Sequence, residues 1–228
     1  FFFKQKTAYE ISTRDWSSDV CSSDLMSWWG WTLALGVCGC RILGWTGPYR
    51  DPRPLPRSAI VDLHAHVAGI GAGDSGCFVS PEMASSWKFG FYLGAYGTSR
   101  DELRAKGDDV LLDRLAAHVA GSSNVHAAVV LAMDGWIDER GELDRDRTQV
   151  FVPNEFVARG AARHACLRFG ASIHPRRPDA LARLDEAVSK GAVLVKWIPS
   201  IMNIDPADPA MVPFYRRMVA LEIGRAHV

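Results

Sequence analysis

The chain has 228 residues, and 26 lysines and arginines balance 26 aspartates and glutamates, so its formal net charge is zero. That balance excludes a strongly basic nucleic-acid binder and an acidic solvating tail. With 48% hydrophobic and 23% charged residues the composition is that of a folding chain, and a single domain of roughly 200 residues buries a substantial core.

Residues 1–25, FFFKQKTAYEISTRDWSSDVCSSDL, carry neither a helical nor a strand period and resemble a translated short-read sequencing adapter. Asp19 to Leu25 can be encoded GAC GTG TGC TCT TCC GAT CTC. The reverse complement, GAG ATC GGA AGA GCA CAC GTC, encodes Glu222 to Val228, and a TCA codon for Ser18 supplies the stop. Residues 1–25 and 222–228 are therefore expected to be adapter-derived, which leaves Met26 to Leu221 as the genuine segment, cut before its natural end.

Residues 26–45, MSWWGWTLALGVCGCRILGW, form an apolar run. Trp28 to Val37 has the length of a signal h-region and is short for a membrane span of about 20 residues. Val37-Cys38-Gly39-Cys40 resembles a bacterial lipoprotein box with Cys40 as the lipidated residue, so the expectation is an exported or membrane-anchored protein. No basic n-region precedes the run, and the alternatives are an uncleaved anchor with Arg41 at its edge, or an internal apolar strand of a cytoplasmic protein. Cys38 and Cys40 lie too close for an ordinary disulfide, and Cys77 and Cys166 show no metal spacing. Residues 46–58, TGPYRDPRPLPRS, read as a Pro/Arg-rich linker, because proline fixes φ and lacks a donor.

From Ala59 the pattern alternates. Ala59 to His66 reads as a buried strand, Val67 to Gly97 as a long glycine- and aromatic-rich loop, and Ser99 to Val119 as a helix opened by a Ser99/Glu102 capping box. Strands are predicted at Val125–Met133, Leu167–His174 and Ala192–Ile198. Helices are predicted at Asn154–Ala165, Pro178–Lys190 closed by Gly191, and Pro209–Leu221. Apolar strands alternating with helices make a parallel sheet covered by helices. Four such βα units predict an α/β fold, the N-terminal half of a (β/α)8 TIM barrel of about 250 residues. A doubly wound open sheet is the alternative, weakened by the lack of G-x-G-x-x-G after any strand.

The informative motif is Asp62-Leu63-His64-Ala65-His66. Strand alternation predicts Asp62, His64 and His66 on one face, two imidazoles presented to one zinc ion at the strand's C-terminal end, with Asp62 orienting a histidine. The alternative is a pair of histidines hydrogen-bonding the surface. His174 ends the third strand and Asp134 follows the second, each placed either to line the same mouth or to cap a loop. His118, His126 and His164 lack partner spacing and read as structural. The loop with Trp87, Phe89, Phe91, Tyr92 and Tyr96 is a candidate lid or substrate wall, or a satellite hydrophobic cluster. Arg176-Arg177 and Arg216-Arg217 make no basic stripe for nucleic acid.

On IVDLHAH and GAVLVKWIPS, the chain from Ala59 to Leu221 resembles the amidohydrolase superfamily, especially its amidohydrolase-related branch. The resemblance implies a (β/α)8 barrel with a metal site at the C-terminal strand ends, ligated by His64 and His66. It also implies a role for Lys196, which stands where some branches carry a carbamylated lysine bridging two metals. A neutral amine beside a divalent cation can take up carbon dioxide and become an anionic ligand; the plainer role is contact with substrate or a carboxylate. Further ligands and the general base are expected beyond Leu221. The implied activity is metal-dependent hydrolysis of a small molecule. The same site also suits a decarboxylase or hydratase, and TatD-like nucleases and histidinol-phosphatase-like phosphoesterases open similarly. A non-enzymatic, membrane-tethered metal-binding domain is the reading from another class.

Overall fold

A computed structural model describes residues 55, 56 and 58–227. The adapter-like residues 1–25, the signal-like residues 26–45 and nearly all of the linker lie outside the described residues. From Val61 onward the chain alternates strand and helix, as its apolar runs predict. The main strands are β1 (Val61–His66), β3 (Ala127–Leu131), β5 (Leu167–Ala171), β6 (Ala192–Trp197) and β7 (Gly224–His227). All are parallel, in the order β1-β3-β5-β6-β7. Each new strand joins the same edge of the sheet. A doubly wound sheet reverses direction at a switch point, and this one does not. The result is a curled, singly wound half-barrel.

Connections run through α4 (Asp109–Ala120), α5 (Asn154–Arg163), α6 (Ala180–Ser189) and α8 (Val212–Ala220), the last entered from a 3₁₀ turn at Pro209–Met211. Strand alternation splits the apolar side chains between two faces. Ala128, Val130, Phe169, Ala171, Val195 and Trp197 join the main core with helical residues such as Leu112, Phe156, Leu184 and Phe214. Val129, Leu131 and Leu194 form a separate cluster on the inner face. Gly170 lies among these three. A Cβ there would stand 2.6 Å from Leu131, 3.0 Å from Val129 and 3.2 Å from Leu194, so only glycine leaves the inner layer room to close.

Two expectations are corrected. The helix expected over Ser99–Val119 is two helices, α3 (Arg100–Lys106) and α4, parted at Gly107 with φ of +88°. The cause is Asp108, fully buried. Its carboxylate accepts from Ile70 N (3.1 Å), Gly71 N (2.8 Å) and Ser75 Oγ (2.5 Å), which draws the chain out of helical register. The Ser99 cap holds, its hydroxyl accepting from Glu102 N at 3.2 Å.

The expected loop Val67–Gly97 contains β2 (Phe78–Val79), α1 (Pro81–Ser85) and α2 (Trp87–Ala95), with β2 paired antiparallel to β4 (Val150–Phe151). Ser80 and Ser86 cap the two helices, and Phe89 and Leu93, one turn apart, are the buried anchors of α2. In addition, the outer edge of β6 carries β7 from within the segment 222–228, in register Leu194↔Gly224 through Trp197↔His227. Parallel pairing is made by the backbone, which any extended segment supplies.

Candidate metal centre

β1 does not alternate simply. Asp62 pairs with Ala128 and Ala65 with Val130, so Leu63 and His64 together oppose the single residue Val129. This bulge shifts the parity of the strand. Asp62 lies across from Ala128 of the main core, whereas His66 lies across from Leu131 of the inner cluster. The expected common face of Asp62, His64 and His66 is thereby corrected, because an extra residue re-aims every side chain beyond it. Asp62 closes the bulge, its Oδ1 accepting from the His64 N–H at 2.8 Å.

The bulge brings His64 Nε2 to 2.9 Å from His66 Nε2. Lys196, two residues after Leu194 on β6 and 2% exposed, completes a triangle. Its Nζ lies 2.8 Å from His64 Nε2 and 2.8 Å from His66 Nε2, across 132 and 130 positions of sequence. The imidazoles meet edge to face, 4.8 Å between centroids. Among the described residues no group of three or more His, Cys, Asp and Glu is placed to hold a metal, and the third group facing the two imidazoles is the lysine.

The electrostatics follow from this crowding. Burial, then the Lys196 charge, then His64 push the His66 pKa down to about 3. His64 is lowered by burial and Lys196, with Asp62 opposing. Burial lowers Lys196 to about 8. At neutral pH both imidazoles are neutral, and the Lys196 ammonium lies within hydrogen-bond reach of both Nε2 atoms. Three convergent nitrogens from two imidazoles and an amine are the donor set of a borderline divalent ion such as zinc. Nitrogens sharing one tetrahedral ion at about 2.0–2.1 Å stand about 3.3–3.4 Å apart, so the separations of 2.8–2.9 Å have to open by about 0.5 Å to admit zinc. The two imidazoles are of the donor type the motif implies.

The site's main chain is held from several sides. The Tyr96 hydroxyl donates to the His66 carbonyl, and the Tyr92 hydroxyl accepts from Ala68 N at 2.7 Å. Ser172 Oγ donates to the Lys196 carbonyl at 2.9 Å, and Trp197 Nε1 to the Ile173 carbonyl at 2.7 Å. His66 Nδ1 is buried without a hydrogen-bond partner, so no contact at that nitrogen orients this imidazole.

Asp134 and His174 form a different cluster. The Asp134 carboxylate accepts from Arg177 Nε (2.8 Å) and Nη2 (2.7 Å), from His174 N (2.8 Å) and from Gly135 N (2.9 Å). His174 Nε2 donates to the Met202 carbonyl at 2.7 Å, and its Nδ1 accepts from Arg176 N at 3.2 Å. Burial lowers the pKa of His174, and with both ring nitrogens engaged it is a neutral strut. Together these residues clamp the C-terminal ends of β3 and β5. Sequence reasoning missed Arg177 in this role and the anchoring hydroxyls of Tyr92 and Tyr96, although the i, i+4 spacing of the two tyrosines was a visible signal. His118 stacks on Tyr96, His126 Nδ1 accepts from Ile60 N, and His164 meets Asp113.

Among the described residues no helix is long and apolar enough to cross a membrane. Comparison with protein-family models, with curated proteins and with solved structures finds no match to this chain.

Proposed function

We propose that this chain is the metal-binding half of a TIM-barrel, metal-dependent hydrolase of the amidohydrolase type, acting on a small-molecule substrate. The observation that carries the reading is the convergence of His64, His66 and Lys196 nitrogens at 2.8–2.9 Å from opposite ends of the domain. The singly wound parallel sheet supports it, since that winding continues naturally into a closed barrel whose active groups stand at the C-terminal strand ends. A bound zinc ion supplies a water of lowered pKa and an electrophile that polarises a carbonyl or phosphoryl oxygen.

The chain's own residues prepare that site. His64 and His66 are neutral imidazoles at neutral pH. Asp62 pins the bulge that aims His64. Lys196 loses its proton near pH 8; its free amine then attacks the carbon of carbon dioxide, releases a proton to solvent and becomes a carbamate, an anionic oxygen donor in place of an amine. The general base is assigned to later strands of the full barrel. Export through residues 26–45, with lipidation at Cys40, belongs to the same reading. A decarboxylase or hydratase would use the same three residues.

The test is zinc-dependent hydrolysis of ester and amide substrates by a chain carrying all eight strands. Turnover lost in His64→Ala and His66→Ala supports the reading, and turnover undiminished in both overturns it.

A further inference from the structure

Lys196 reaches the two imidazoles from β6, and in the order β1-β3-β5-β6 the backbone route from β6 back to His64 and His66 runs through β5. That pairing is short. After Phe169↔Ala192 the register shifts, so that Leu194 rather than Val193 pairs with Gly170. Only Ala171↔Val195 follows, and the ladder ends one residue before Lys196. Two pairs beyond an irregularity specify register weakly.

Side chains take over where the ladder stops. The carboxamide of Asn154, the first residue of α5, holds both peptide groups of Ser172. Its Nδ2 donates to the Ser172 carbonyl and its Oδ1 accepts from the Ser172 N–H, each at 2.9 Å. Ser172 is buried, and its hydroxyl donates to the Lys196 carbonyl at 2.9 Å. Asn154 thus fixes Ser172, and Ser172 fixes the main chain of Lys196.

We infer that Asn154 is a positioning residue of the His64–His66–Lys196 centre, acting through Ser172 on the placement of the lysine. Lys196 is itself buried, so its stem is confined and a displaced backbone carries the amine with it. That the arrangement serves a metal ion rests on the hydrolase reading; that Asn154 sets it does not.

The experiment uses the full 228-residue chain with Asn154→Ala, Ser172→Ala and the double variant. Ser122→Ala is the structural control, because Ser122 Oγ accepts from Val125 N in the turn before β3, at the opposite end of the sheet. Far-UV circular dichroism confirms folding, and Asn154→Asp, which keeps the acceptor for Ser172 N–H and loses the donor, replaces Asn154→Ala where that variant does not fold. Two quantities are read: the NMR signals of the His64 and His66 ring Cε1–H groups in metal-free chain, and zinc affinity. Both ring signals are expected to move in each single variant, and zinc binding to weaken about tenfold. The double variant is expected to bind no more weakly than the singles, because the two residues act in series. Ser122→Ala is expected to change neither quantity. Parental ring signals in a folded Asn154 variant, additive losses in the double variant, or an equal effect of Ser122→Ala overturns the proposal. A parent chain that binds no zinc overturns the metal reading, and the ring signals then decide on Asn154 by themselves.

Discussion

Asp134→Ala removes the acceptor of four hydrogen bonds, two from Arg177 at 2.7 and 2.8 Å and one each from His174 N and Gly135 N. The Arg177 and Asp134 side chains are 9% and 6% exposed, so bulk water does not readily replace what is lost. Removing one partner of a buried ion pair costs about 3–5 kcal/mol, because the remaining charge stays buried and unpaired. The two orphaned amides add to this but share the same vacated space, where a water molecule can enter, so about 4 kcal/mol is the expected total. Set against the 5–15 kcal/mol typical of a folded domain, that is a large fraction of the stability. The assay is urea unfolding followed by tryptophan fluorescence, in which the midpoint falls while the slope is unchanged. Asp134→Ala combined with Arg177→Met removes the orphaned charge and is expected to recover about 2 kcal/mol. A loss below about 1 kcal/mol in the single variant, or no recovery in the double, would refute the clamp between β3 and β5.

Two further outcomes follow from the same coordinates. Gly170→Ala places a methyl 2.6 Å from Leu131 and 3.0 Å from Val129 and should cost about 1–3 kcal/mol by chemical denaturation; a neutral substitution would show that the inner layer is loosely packed. In metal-free protein Lys196 has a folded pKa of about 8 against 10.5 unfolded, so the folded state holds fewer protons between those values and stability rises with pH across that window. His66, at about 3 against 6.5, acts in the same sense at lower pH: stability declines as pH falls below about 6.5, and thermal melts from pH 3 to 11 check both windows.

The sheet was legible because AAVVL and AVLVKW are apolar runs that only a doubly covered strand accommodates, and because the helices carry ordinary caps and apolar stripes. The break at Gly107 was not, since the demand comes from Ile70, Gly71 and Ser75, which take the Asp108 carboxylate from more than thirty positions away. The histidine pair was visible as an i, i+2 motif, but its aim was misread. A bulge inserts a residue without changing the composition of the strand, and alternation taken from sequence alone assigns Asp62 the wrong face. The partnership of Asp134 with Arg177 spans 43 positions and leaves no local spacing to detect. Lys196 was reachable through resemblance, whereas its 2.8 Å approach to both imidazoles is a product of sheet order. The helix α2 hid behind glycines and aromatics that depress helical propensity, and its serine cap and buried i, i+4 anchors outweigh that cost.

The most direct test of the central claim is a zinc titration of the metal-free chain by calorimetry, with His64→Ala, His66→Ala and Lys196→Met alongside. The account predicts one ion per chain, held weakly because only three side chains contribute, and at least about tenfold weaker binding in each variant. No binding in the parent chain, or binding that all three substitutions leave intact, would contradict a metal centre at the end of β1.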